Sequence, residues 1–161
     1  MTSKESKNES GDAVPGEHDD FTTMSIAGQM FGIPVLSVQD VLGPQKIASI
    51  PLAPPDVAGA LNLRGRIVTA IDVRCRLGLP PRPEDVPGMS VVVEIDGELY
   101  SLLVDAVGEV LSLPTESFER NPATLDEAWR DVSRGIFRLD DTLLVVLDVN
   151  KLLNVRDAEA A

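Results

Sequence analysis

The chain has 161 residues and a formal charge of −12, and 43% of its residues are hydrophobic while only 4% are aromatic. Binding to a phosphate backbone rests on Lys and Arg displacing counterions, so this charge argues against DNA, RNA and anionic membrane as partners. The length suits one domain or two very small ones, with an aliphatic core of Val, Leu and Ile that favours strands.

Residues 1–20, MTSKESKNESGDAVPGEHDD, have no hydrophobic period and read as a disordered acidic tail. No apolar run in the chain approaches the ~20 residues of a membrane span, and the N-terminus lacks a basic-then-apolar leader; the expectation is a soluble, cytoplasmic protein with no membrane insertion. FTTMSI (21–26), AGQ and MFGIPVL form a hairpin around Gly28. SVQDVL (37–42) has Ser37 and Asp40 at capping-box spacing and predicts one helical turn ending at Gly43-Pro44. Pro51, Pro54 and Pro55 then hold a stiff loop that no central strand could contain.

Apolar residues resume from Val57 to Leu63 and again over IVTAIDV (67–73), so the Arg64-Gly65-Arg66 corner between them is a hairpin tip. RCRLGLPPRPEDVPG (74–88) is a connection crowded with Pro and charge. SVVVEIDGELYSLLVDAV (90–107) is the clearest hairpin, with Asp96-Gly97 as a type I′ pair. EVLSL (109–113) is a strand after Gly108, which suits a bulge; PTESFE is a short turn, and NPATLDEAWRDVS is a loop or weak helix. GIFRLDDTLLVVLDV (135–149) is a further hairpin turning at Asp140-Asp141, and NKLLNV (150–155) closes the chain as a short helix capped by Asp148 or Asn150.

Eight to ten short strands with few helices define an all-β chain, as small barrels or a sandwich. No repeat of 20 to 50 residues is visible, which argues against a solenoid. The two halves share a pattern of hairpin, turn and hairpin that is compatible with two similar sub-barrels.

The chemistry available is narrow. His18, the one histidine, falls in the expected tail, so neither a Ser-His-Asp nor a Cys-His arrangement has an anchored base. One His and one Cys cannot make a zinc site, and no GxGxxG or GxxxxGK[ST] offers a phosphate cradle. The acidic clusters at 19–20, 94–96 and 140–141 fit tail and turn positions rather than a paired-carboxylate site. No catalytic residue, cofactor or metal is expected. Cys75 is expected as a small buried or half-buried residue, since a lone cysteine forms no internal disulfide. Arg64 has two readings: an anchor for a partner's carboxylate, or a fork that ties down its own corner.

GALNLRGRIVTAIDVRCRLGL resembles the signature segment of the chemotaxis coupling protein CheW family. FTTMSIAGQMFGIPVLSVQDVLG, IASIPLAPPDVAG, GELYSLLVDAVGEVLSL and RGIFRLDDTLLVVLDVNKLL are similar to other segments of that family, in order, over about residues 21–155, leaving 156–161 as a frayed end. The resemblance implies two intertwined five-stranded SH3-like β-barrels. It also implies a non-catalytic adaptor joining the regulatory domain of the histidine kinase CheA to the cytoplasmic tips of methyl-accepting chemoreceptors. Carried over by motif, Asn62, Leu63, Arg64 and Gly65 match the coupling corner, Gly59 a coupling glycine, and Val38 and Asp40 a partner-contacting turn in which Glu is common. Thr69 stands where a proline is frequent. Alternatives are a coupling protein of a non-flagellar pathway, and a barrel that binds a small molecule in its interior.

Overall fold

Short alternating runs punctuated by Gly, Pro and Asp produce ten strands in the computed structural model, which describes residues 16–153. They are β1 (His18–Ile26), β2 (Gln29–Pro34), β3 (Val38–Leu42), β4 (Val57–Leu63), β5 (Arg66–Asp72), β6 (Met89–Ile95), β7 (Glu98–Val104), β8 (Ala106–Pro114), β9 (Ser133–Arg138) and β10 (Leu143–Leu147). The helices are α1 (Val73–Arg76), α2 (Glu127–Arg130) and α3, over 149–153.

The strands form two five-stranded sheets, ordered β8-β1-β2-β10-β9 and β3-β6-β7-β5-β4. The first half of the chain, β1 to β5, gives two strands to one sheet and three to the other, and the second half, β6 to β10, does the reverse. The halves are structural repeats. IAGQMFGIPV (26–35) lies on IDGELYSLLV (95–104), and VAGALNLRGRIVTAIDV (57–73) lies on SRGIFRLDDTLLVVLDV (133–149) without a gap. Pairing follows the same rule: Gly59 opposes Ala70 as Gly135 opposes Val146, and β5–β7 is parallel as β10–β2 is. β3 and β8 are bulged against their partners at the same point, with Val38 opposite Val93 and Val107 opposite Met24.

Each sheet curls until its outer edges meet. Beyond β3, Ala48 exchanges two backbone hydrogen bonds with Ala60 on β4, at 2.9 and 2.8 Å; beyond β8, Glu119 and Ile136 on β9 exchange two at 2.9 Å. Alternation then divides the apolar residues among three cores. Phe21, Phe137, Leu144 and Val146 fill one barrel, and Leu61, Val68 and Ala70 the other. Between the barrels, the opposite faces pack Met24, Phe31 and Ile136 against Ile71, Val91 and Leu102. Fully burying one such side chain contributes about 1.5–3 kcal/mol, so this shared core makes one folding unit of two barrels.

Several local expectations change. β1 starts at His18, three residues before the first apolar residue, because His18, Asp19 and Asp20 pair with Pro114, Leu113 and Ser112 on β8. The rest of the expected tail through residue 15, like 154–161, lies outside the described residues. SVQDVL is not a helical turn: a single 3-10 turn covers Val35–Ser37 and β3 follows, since pairing with the buried valines of β6 outweighs the capping pattern. Inside the connection after β5, Asp72 caps α1 by accepting the Cys75 N–H at 3.2 Å. α3 repeats that design, with Asp148 accepting the Lys151 N–H at 3.1 Å, so Asp148 rather than Asn150 is its cap.

Candidate functional site: the Arg64 corner

The turn joining β4 to β5 has φ of 53° at Arg64 and 87° at Gly65, the paired left-handed residues of a type I′ turn. The β1–β2 turn at Ala27-Gly28 and the β6–β7 turn at Asp96-Gly97 share this form. The Asn62 Oδ1 accepts the Gly65 N–H at 3.0 Å, which fixes the corner from inside. Arg64 then projects outward: its side chain keeps 74% of its exposure while Nη2 lies 3.0 Å from Asp40 Oδ2 on β3. β3 and β4 are opposite edges of their sheet, so this ion pair spans the closure of the barrel. Asp40 is 27% exposed, and its Oδ1 also accepts the N–H of Val41 at 2.9 Å.

The other sequence candidates do different work. Leu63 is half-buried and packs into the barrel with Leu61 and Val68; Val38 packs against the core between the barrels. Gly59 is buried with φ 149°, and a Cβ there would run into the Ala48 carbonyl where that segment crosses β4. Of the seven candidates, Arg64 and Asp40 therefore carry surface charge. Gly59, Asn62, Leu63 and Gly65 shape the corner, and Val38 seats β3.

Sequence reasoning missed Arg66 and three exposed apolar side chains, on the corner's own hairpin, on β3 and on the segment entering β3. Arg66 donates through Nη2 to the Gly97 carbonyl at 3.2 Å, tying the corner to the β6–β7 turn. Ile67, opposite Asn62 on the exposed face, is 69% exposed, and Leu36, just before Val38, is 93% exposed. Val41 is partly exposed on β3. Strand alternation carried the signal for Ile67, since it pairs with a polar residue at the tip. Nothing in the sequence distinguishes Leu36 from a core leucine.

Elsewhere, His18 is exposed on β1 with Nδ1 3.0 Å from the Gly16 carbonyl. Cys75 is exposed on α1, contrary to the expectation of a buried or half-buried residue. Partial burial, then the Asp72 and Asp56 carboxylates, raise its thiol above the usual range. Among the described residues no group of three or more His, Cys, Asp or Glu could hold a metal, and no helix is long and apolar enough to cross a membrane.

The exchanged pair of five-stranded barrels, with a polar corner at the rim of one, defines a mainly β two-barrel module. The chain belongs to the CheW family: the CheW-like domain matches residues 20–157. It is 28% identical to a "Probable chemotaxis protein CheW" of Rhizobium etli over 136 residues, covering 84% of this chain and 88% of the relative. With a chemotaxis protein CheW of Bacillus subtilis it shares 28% identity over 137 residues, 84% of this chain and 87% of that one. In structure it matches the scaffolding protein TtCheW from Thermoanaerobacter tengcongensis with a TM-score of 0.72 at 30% identity, covering 83% of this chain and 89% of the other.

Proposed function

We propose that this chain is a chemotaxis adaptor, without catalysis of its own, that couples the cytoplasmic tips of methyl-accepting chemoreceptors to the regulatory domain of the histidine kinase CheA in the cytoplasm. The observation that carries this reading is the corner itself. Arg64 stands exposed on a rigid type I′ turn, its guanidinium already oriented by Asp40, in a chain whose relatives are a scaffolding protein and chemotaxis proteins.

Chemically, an adaptor needs a polar group of fixed direction beside apolar surface. Arg64 supplies a planar fork able to bond a partner carboxylate or carbonyl, and Asp40 supplies an acceptor beside it. Ile67 on the same hairpin and Leu36 before β3 supply apolar area, of the kind that receives the apolar face of a partner helix. Asn62, Leu63, Gly65 and Gly59 hold the turn so that little ordering cost is left to be met at association, and Val38 anchors β3 beneath Asp40. Weak individual contacts still hold an array together when each adaptor makes several.

The test is co-sedimentation of the purified chain with a receptor-tip fragment and the kinase. Arg64→Gly, which keeps the left-handed turn, is expected to reduce recovery in the complex by at least tenfold. Binding of both partners at wild-type levels by that variant removes the corner from the mechanism.

A further inference from the structure

The chain crosses between the barrels twice, and the two crossovers are built differently. At the second, between β7 and β8, Arg74 on α1 grips Asp105 with both arms of its fork: Nε donates to Oδ1 at 2.9 Å and Nη2 to Oδ2 at 2.7 Å. The two side chains keep 10% and 13% of their exposure. Asp105 Oδ2 also accepts the Ala27 N–H of the β1–β2 turn at 2.8 Å, and the Asp105 N–H donates to the Ser25 carbonyl at 3.1 Å. Arg74 Nη1 donates to the Pro80 carbonyl at 2.8 Å. One buried pair thus ties together α1 of one barrel, the first hairpin of the other, the crossover between them and the loop leading to β6.

The internal repeat gives the equivalent positions at the first crossover, between β2 and β3. Asp105 corresponds to Leu36, Arg74 to Asn150 and Ala27 to Asp96. Leu36 is almost fully exposed, Asn150 is exposed, and neither carries a charge. One crossover is bolted and its twin is not.

We propose that Arg74 and Asp105 form a lock that fixes the angle between the two barrels, and that relative motion of the barrels opens at the Leu36 crossover with Asp105 as its pivot. A buried ion pair adds little net stability over a well-packed apolar pair, but a two-armed fork on one carboxylate admits a single orientation. Its effect is therefore on geometry. Domain rotations concentrate their change at a few connecting residues, and a connection whose Asp105 makes four hydrogen bonds is a poor place for that change. Val38 and Asp40 follow directly on the unlocked crossover, so force applied to β3 acts on the free side of the joint. The lock belongs to the chain alone and does not depend on which partners bind.

Spin labels at Glu94→Cys on β6 and Arg134→Cys on β9, in a Cys75→Ser chain, report the distance between barrels by pulsed dipolar spectroscopy. The expected result is one narrow distance distribution in the parent. In Arg74→Met/Asp105→Leu it should be at least twice as wide while the chain still melts in one cooperative transition. Arg74→Lys, which keeps the charge but loses the fork, should broaden it as well and decides the matter should the double variant fail to fold. Installing a second lock with Leu36→Asp/Asn150→Arg should narrow the distribution below that of the parent. An unchanged width in a folded Arg74→Lys chain, or a parent already as broad as the unlocked variants, overturns the proposal.

Discussion

Gly59 and Gly135 occupy one and the same position in the two halves of the repeat. Each stands where the segment leaving an edge strand crosses back over the opposite edge, with φ of 149° and 157°. A Cβ on Gly59 would strike the Ala48 carbonyl, and on Gly135 the Phe118 ring and the Glu119 carbonyl. Those carbonyls belong to the bridges that close the barrels, so neither can retreat without breaking hydrogen bonds to Ala60 or Ile136. Backbone strain and overpacking each cost on the order of 1–3 kcal/mol. Gly59→Ala and Gly135→Ala should both lower the thermal midpoint by roughly 5–10 °C. Gly59 then acts on the corner through barrel closure rather than through contact, and equal melting of Gly59→Ala and the wild type would contradict that.

The Arg64–Asp40 pair should behave differently. With Arg64 largely in solvent, the pair contributes at most about 1 kcal/mol, and salt screens it. Arg64→Gly, Asp40→Asn and the double variant should melt within a few degrees of the wild type. In a double-mutant cycle on kinase or receptor binding, the two substitutions should be non-additive, since Asp40 orients the fork that Arg64 presents. Additive losses measured by titration calorimetry would mean that the two residues meet partners separately.

Much of this was legible in the sequence because hairpin chemistry is local. Asp96-Gly97 and Arg64-Gly65 between apolar runs mark their turns without any knowledge of tertiary structure, and the alternation around them gives the strands. The exchange of strands between barrels was legible only through the family resemblance and not from the residues themselves, because the repeats agree in pattern but share few identities, such as Ile26 with Ile95, Gly59 with Gly135 and Asp72 with Asp148. SVQDVL misled for a related reason. Its cap-like spacing is local, while the valines of β6 that pull it into a strand lie some fifty residues on. For the candidate site, motif resemblance points to the corner but does not give the division of labour within it. Which of its residues face water depends on barrel closure, a contact between the two sheet edges.

Asp105 predicts an acid-sensitive component of stability. The Arg74 hydrogen bond is the main cause that holds its carboxyl below the usual carboxylate range, with the Ala27 N–H acting the same way and burial opposing both. A carboxylate depressed in the folded state stabilises fully above its unfolded value, near pH 4, and loses that contribution as pH falls through the folded value. As pH falls below about 4 the thermal midpoint of the wild type should therefore fall more steeply than that of Asp105→Asn, which has no proton to take up there. Parallel curves for the two proteins would show that the pair is not intact in solution.

Two buried serines should respond in opposite directions. Ser101 is fully buried on β7, opposite Ala70 of β5 and on the strand face that carries Leu99 and Leu103 into the second barrel, and among the described residues its hydroxyl has no hydrogen-bond partner. Ser133 donates to the Asn121 Oδ1 at 2.7 Å and accepts the Gly135 N–H at 3.1 Å, which braces the strained glycine of β9. Deleting an unsatisfied hydroxyl removes a desolvation penalty, whereas deleting a bonded one strands its partners at a cost of about 1–3 kcal/mol. Ser101→Ala should match or exceed the wild type in a urea melt, and Ser133→Ala should unfold at clearly lower denaturant with an unchanged slope. If Ser101→Ala proved the more damaging, its hydroxyl would have to be bonded in solution, and the interior of that barrel would be less apolar than its lining residues indicate.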